Sequence, residues 1–371
     1  MSYLLDSLQR AIRVVELLQA SPVEAISLSR LARDAGVNKT TVLRILRTFE
    51  HCGWVVQPAA GQYKLTFQRL DMRPRRVGYA SRDDRLAFPR AVTESIAQTA
   101  SVHGVELLAL DNRGSRTQAV KNVERMIREK VEVAIVFQPD ASVGPEIASL
   151  LHESGTPVIS LEMPMAGAAY FGADSYSAGI TAGRAVARML QKAGKRAEEL
   201  VLLGTAGFGT PSAARLNAFR RAFQETDRRN AAVLVSEAEG NGSFSSGLRL
   251  VRLRMKSSRK RRCLVVCQND PTAMGAAQAI EEGGKATDWM VWSFGGALDV
   301  RMELRRKGSP MMGAVGLGPE RYGDQIWNLV SAMLEKRPAP PALFARMRVL
   351  TRENIGELYP HDLEWSAARR D

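Results

Sequence analysis

Lys39, Thr40, Thr41 and Arg44 open the run KTTVLRILR, and Arg47 follows one turn later. Cationic and hydroxyl donors at this spacing can grip phosphates and reach base edges, which is nucleic-acid chemistry. Gln62, Tyr63 and Lys64, in GQYKLT, add donors suited to a sugar-phosphate backbone. Catalytic chemistry finds no comparable footing. His51, His103, His152 and His361 are dispersed without metal-ligand spacing, and neither a Gly-x-Ser-x-Gly nor a Walker-type string occurs. GTAGFGT is a lone glycine-rich turn and weak as a phosphate loop. The expectation is therefore a protein that is not an enzyme, with no cofactor and no metal.

These donors need helices to present them. Leu8, Ala11, Ile12, Val15 and Leu18 recur at helical spacing, so SLQRAIRVVELLQAS reads as one amphipathic helix ended by Ser21-Pro22. Ser27 can cap a second helix, SLSRLARDAG, which Gly36 would close. Asn38 can cap a third, KTTVLRILRTFEHCG, whose Val42, Ile45, Leu46 and Phe49 point inward. Helix, tight turn and helix leave Lys39, Thr40, Thr41 and Arg44 on the outer face near the third helix's N-terminus, where a recognition helix carries its reading side chains. WVVQPAAGQYKLT reads as two strands joined by a turn at 58–61, a β-hairpin wing.

Charge supports this placement. The chain of 371 residues carries a formal +13, and twelve bases against six acids put +6 of it in the first 76 residues. A second basic run, Arg249, Arg252, Arg254, Lys256, Arg259, Lys260, Arg261 and Arg262, reads as a solvated surface, with an auxiliary nucleic-acid or partner contact as the alternative. No apolar stretch approaches the roughly 18 residues of a membrane span, and no signal-peptide core precedes the first charges. Cys52, Cys263 and Cys267 leave one thiol unpaired in any arrangement, which fits a reducing compartment; all three read as packing residues. The expected location is cytoplasmic.

Residues 7–66 resemble the winged helix-turn-helix of the IclR family in helix order, in the Leu-Ser-x-Leu-Ala second helix, in the Lys-Thr-Thr start of the third and in the Gly-x-Tyr-x-Leu wing. The resemblance implies a DNA-binding domain over residues 1–68, with double-stranded operator DNA as partner and Ser27, Asn38, Lys39, Thr40, Thr41, Arg44, Arg47, Gln62, Tyr63 and Lys64 at the DNA. A basic linker over 69–76, with Arg69, Arg73, Arg75 and Arg76 around Pro74, would follow.

From Val77 onward about ten apolar strands alternate with helices, among them VGYAS, VEVAIVFQ, TPVISLE, ELVLLGT, CLVVCQN and MVWSFGG. This pattern implies an α/β architecture of two doubly wound lobes with parallel sheets. TPVISLE, FGADSYSAG, SAARLNAF, CQNDPTAMGA and MVWSFGGA bring a second resemblance, to the type I periplasmic-binding-protein fold shared by ribose-binding proteins and the sensor domains of LacI/GalR repressors. It implies a sensor over 77–360, one lobe from about 77–174 and 318–343, the other from about 175–317 and 344–360, with a tail at 361–371. It further implies a small carbohydrate or polyol ligand held by Arg85, Phe88, Glu162, Asp174, Arg215 and Asn269: carboxylates accept from hydroxyls, Arg and Asn donate, and an aromatic ring covers the sugar's apolar face.

The chain departs from the pattern at three places. Gly295 stands where many relatives have Asp, Leu317 where a polar residue is common, and Met163 where pentose binders have Arg. Ribose itself is a poor fit; a deoxy, acylated or otherwise functionalised small molecule remains open. The combined reading is a ligand-responsive transcription regulator that dimerises or forms a higher homo-oligomer, with no membrane partner. Its alternatives are a solute-binding component of a sugar uptake system and an enzyme acting on the ligand.

Overall fold

The computed structural model describes residues 5–20, 25–66, 75–138, 140–205 and 209–363, in two compact units, Met1–Pro74 and Arg75–Asp371. Arg69 and Arg73 of the expected linker, residues 206–208 of the glycine-rich turn and residues 364–371 lie outside the described residues.

In the first unit, helix α1 (Asp6–Gln19) and the short strand β1 (Ile26–Ser27) precede α2 (Leu28–Ala35), α3 (Lys39–His51) and the hairpin β2 (Val55–Ala59) with β3 (Gln62–Leu65). β3 is central and pairs antiparallel with both β1 and β2. The hairpin turn is tighter than the sequence suggested: Pro58 lies within β2, leaving Ala60 and Gly61, the latter at φ 71°. Helix α1 also differs. Val14 and Leu18 are buried, whereas Leu8 and Ile12 are 57% and 50% exposed. At 100° per residue the apolar side chains of α1 spread over more than half its circumference, and the core takes only the arc around Val14 and Leu18. Cys52, just past α3, is exposed rather than packed; Cys263 and Cys267 are buried.

The second unit begins with β4 (Arg76–Ser81), α4 (Ala87–Val102), β5 (Glu106–Asp111), α5 (Arg116–Arg128), β6 (Val133–Val136), α6 (Gly144–Glu153), β7 (Val158–Leu161) and β8 (Ala169–Gly172). Helix α7 (Ser175–Lys192) then leads into β9 (Glu199–Thr205), α8 (Gly209–Thr226), β10 (Leu234–Gly240), α9 (Phe244–Ser257), β11 (Cys263–Cys267), α10 (Asp270–Glu282), β12 (Trp289–Gly295), α11 (Leu298–Arg305) and β13 (Met311–Gly316). After α12 (Tyr322–Leu334) come β14 (Ala342–Phe344), β15 (Arg348–Thr351) and α13 (Ile355–Leu358). The strands form two six-stranded sheets, ordered β14-β8-β7-β6-β4-β5 and β10-β9-β11-β12-β13-β15.

Every residue of β9 and β11 is buried, as expected of strands covered on both faces. All pairs in the two sheets are parallel except β13 with β15. The exception follows from the path of the chain. It leaves β14 at the carboxyl end of the first sheet and crosses directly, so it enters the second sheet from its carboxyl end and must run antiparallel. Arg75 and Arg76, expected in the linker, are tied to the first lobe: Arg75 pairs with Glu132 at 2.8 Å, and Arg76 opens β4 beside Glu106 and Glu129.

Candidate functional site

Two surfaces carry the chemistry. In the first unit, the Arg30 N–H donates to Ser27 Oγ (3.3 Å), starting α2, and Gly36 at φ 67° ends it. Asn38 Oδ1 accepts the Thr41 N–H at 2.8 Å and fixes the start of α3. Val42 and Leu46 anchor the inner face of α3, while Asn38, Lys39, Thr40, Arg44 and Arg47 are exposed and Thr41 is half-buried. Ser27 pairs with Gln62 and Ile26 with Tyr63 across β1 and β3. Tyr63 departs from its expected place at the surface: it is 4% exposed and packs in the core. Strand alternation sends Tyr63 inward and leaves its neighbours Gln62 and Lys64 half-buried at the surface.

In the second unit, a cavity opens where the carboxyl ends of both sheets meet. Glu162, directly after β7, stands at its wall with φ 63°, a left-handed conformation a non-glycine residue adopts only under constraint. That constraint is visible. Tyr322 Oη donates to Glu162 Oε1, the Ala173 N–H donates to the same oxygen at 3.2 Å, and Tyr170 Oη holds the Ala173 carbonyl at 2.8 Å. Across the cavity, Arg215 Nη2 stands 4.0 Å from Glu162 Oε2, linking the two lobes. Burial pushes the Glu162 carboxyl above the usual range; the Arg215 charge and the Tyr322 hydrogen bond oppose that shift.

Arg215 is held by its helix. Gly179 and Gly183 let α7 approach α8 so closely that a Cβ at either would stand 2.2 Å from the Arg215 carbonyl oxygen or 2.4 Å from that of Phe219. The guanidinium donates to the Gln268 carbonyl (3.1 Å) and Ser175 Oγ (3.2 Å) and lies 5.3 Å from the Phe294 ring centroid. Its Nε is buried without a hydrogen-bond partner among the described residues. Phe88 reaches the cavity edge-on to Tyr322 and Phe137. Asn269 lines it too, while capping α10 through the Thr272 N–H (3.1 Å) and donating to the Gly242 carbonyl (2.9 Å).

Two expected residues are not on the cavity wall. Arg85 is 73% exposed and grips Asp83 through Nε and Nη2, both at 2.8 Å. Arg82, three residues nearer the end of β4, lines the cavity instead. Asp174 caps α7, accepting from the Ser177 N–H (3.0 Å) and Ser177 Oγ (2.6 Å). The signal for Arg82 was available: in open α/β sheets ligands sit just beyond strand ends, and Arg82 is the first residue past β4.

Asp270 and Asp299 also line the cavity. Asp270 accepts from Ser293 Oγ (2.6 Å) and from the Gly296 and Ala297 N–H groups (3.2 and 2.8 Å). This network leaves no room for a side chain at position 295. Gly295 has φ 141°, and a Cβ there would stand 2.4 Å from Asp270 Oδ2, so the Asp270 carboxylate fills the space a side chain would need. Burial first, and the neighbouring Asp299 second, push the Asp270 carboxyl up.

Comparison with known proteins agrees with this division. Residues 79–338 match the family model described as periplasmic binding protein domain, and residues 7–59 match the IclR helix-turn-helix domain. Over 62 residues the chain is 43% identical to the DNA-binding transcriptional repressor YiaJ of Escherichia coli (strain K12); the match takes in 16% of this chain and 22% of that protein. A galactofuranose binding protein superposes on 78% of this chain and 99% of its own with a TM-score of 0.68 and 18% identity. A Mycobacterium smegmatis protein in complex with β-D-fucofuranose covers 79% and 96% (TM-score 0.67, 22% identity). The arabinose transporter binding protein of Shewanella sp. ANA-3 covers 79% and 97% (0.67, 18%). With residues 79–338 matched, the chain belongs to the periplasmic-binding-protein domain family, and it carries that domain behind an IclR-type helix-turn-helix domain.

Proposed function

We propose that this protein is a cytoplasmic, ligand-responsive transcription regulator: the helix-turn-helix unit binds operator DNA, and the two-lobed unit senses a small carbohydrate-like molecule in its cleft. The observation that carries the reading is the presence, in one chain, of a DNA-binding domain and a cavity into which both lobes send polar groups, Glu162 from one and Arg215 from the other. A vicinal diol bridging Glu162 Oε2 and the Arg215 guanidinium, with Phe88 against its apolar face, uses the acceptor, donor and ring available there. Ligand binding shifts the lobes toward one arrangement, and DNA affinity changes only if the two arrangements bind ligand unequally. Two copies of the chain present two recognition helices to an operator of approximate two-fold symmetry.

The second reading, a solute-binding component of an uptake system, is favoured by the arabinose transporter protein among the structural neighbours. DNA binding separates the two. The regulator binds DNA upstream of its own or a neighbouring gene in a salt-sensitive manner, and Lys39→Ala with Arg44→Ala abolishes sequence-specific binding. Sequence-independent binding that survives this double change removes α3 as the reading helix, and absence of any DNA binding favours the uptake reading.

A further inference from the structure

Most polar side chains on the cavity wall are already engaged by the protein. Asp270 accepts three hydrogen bonds, Asp299 accepts the Val300 N–H, and Asn269 accepts the Thr272 N–H while donating to the Gly242 carbonyl. Arg82 and Gln268 have partners of their own within the protein. Glu162 Oε1 is taken by Tyr322 and Ala173. Two polar atoms stand apart. Arg215 Nε is buried without a partner among the described residues, and Glu162 Oε2 meets no described donor closer than Arg215 Nη2 at 4.0 Å.

Around this pair the wall is apolar. On one lobe Phe88 stands edge-on to Tyr322, the residue that holds Glu162, with 5.6 Å between ring centroids, and Phe137 lies 6.3 Å beyond Phe88. On the other lobe the Arg215 guanidinium lies 5.3 Å from the Phe294 ring centroid. Leu317, also on the wall, donates its N–H to the carbonyl of Gly295, the residue after Phe294, at 2.8 Å, so both backbone groups are spent on each other. Phe294 and Leu317 are buried members of the lobe's apolar core. A hydroxyl aimed at them gives up water and finds no side-chain partner, whereas a methyl group gains from the same surface.

We propose that the effector is a deoxy sugar, hydroxylated on one edge and carrying a methyl group on another: a vicinal diol bridges Glu162 Oε2 and Arg215 Nε, and the methyl-bearing carbon packs on Phe294 and Leu317. Leu317 is then a specificity-determining residue of the cleft. The inference rests on the sensor reading above and narrows its ligand class.

The test is thermal shift and calorimetric titration of the full chain with a matched panel: 6-deoxyhexoses against their parent hexoses, with pentoses, alditols and sugar acids alongside. At least one 6-deoxyhexose binds at least about tenfold more tightly than its parent, whose extra hydroxyl is buried without a partner. Leu317→Asn, which offers that hydroxyl an amide, shrinks the preference by raising the parent's affinity, while salt-sensitive DNA binding stays as in the wild type. Leu317→Met, of similar volume and still apolar, keeps the preference. The wild-type panel decides the ligand class without any variant. A parent hexose that binds as tightly as its deoxy form, or a pentose, alditol or sugar acid that outbinds every deoxy member, overturns the inference and leaves the sensor reading standing. A deoxy preference unchanged in folded Leu317→Asn removes Leu317 as its source. If no member of the panel binds, the carbohydrate-sensor reading falls together with the inference.

Discussion

Arg215 illustrates how one side chain can be specified by several unrelated constraints. Its backbone lies against the helical Gly179, its guanidinium meets a carbonyl, a hydroxyl and an aromatic ring, and it is the charge facing Glu162 across the cleft. Arg215→Ala is expected to abolish ligand-induced thermal stabilisation and leave DNA binding intact; an unchanged ligand response would remove Arg215 from the site. Glu162 supports a pH prediction. Its pKa is raised by burial, and only the ionised form accepts fully from hydroxyls. Acidification therefore weakens ligand binding at pH values above the ordinary Glu range of about 4.3, and Glu162→Gln flattens that dependence. Arg215, Tyr322 and Tyr170 are the groups whose fields act on this titration, and calorimetry across the acidic range reads it. A second buried carboxylate serves stability instead. Glu199 is fully buried and accepts from Arg254, Ser236 and Ser258, whose hydrogen bonds hold its pKa down against desolvation. Its folded-state pKa is depressed, so its contribution is present above the unfolded-state value and lost as pH falls through the folded one. Glu199→Ala, which leaves Arg254 and two hydroxyls without their acceptor, is expected to cost about 2–3 kcal/mol by denaturant unfolding.

At the level of elements, caps and close approaches separate stability from function. Asn38→Ala removes the Thr41 cap and should cost about 1 kcal/mol of stability in the helix-turn-helix unit. Lys39→Ala and Arg44→Ala, at exposed positions, should leave its melting temperature unchanged. Gly183→Val forces a β-branched side chain into a gap where even a Cβ meets backbone at 2.4 Å, so α7 and α8 must part, destabilising the protein by at least about 3 kcal/mol and displacing Arg215. Much of this was legible in the sequence, because Ser27, Gly36 and Asn38 signal helix ends locally and the apolar runs signal buried strands. What escaped depends on long-range geometry. The inward turn of Tyr63 follows from pairing with Ile26, and the outward turn of Leu8 and Ile12 from which arc of α1 the core accepts. The exchange of Arg85 for Arg82 follows from where β4 ends and from Asp83 capturing Arg85, neither of which motif spacing records. The short strand β14 was missed because its three residues carry no periodicity of their own.

Across the whole molecule, the formal +13 is divided unequally by partners as well as by position. In the run 249–262, Arg252, Arg254, Arg261 and Arg262 pair with Glu282, Glu199, Asp288 and Glu198, so half of its bases are engaged by acids of their own lobe. On α3, Lys39, Arg44 and Arg47 are exposed and suited to phosphate release of counterions. The DNA affinity should accordingly fall steeply with salt, and charge reversal at Arg252 should change it little. Coupling of cleft occupancy to DNA binding within one chain is read by fluorescence anisotropy. Labelled DNA from upstream of the gene is titrated with the full chain, with and without a sugar or sugar acid that has been shown to stabilise the protein thermally. Adding ligand should change the apparent DNA affinity severalfold or more, and Arg215→Ala should remove that change. A ligand that saturates the cleft and leaves the DNA titration superimposable would contradict the coupling.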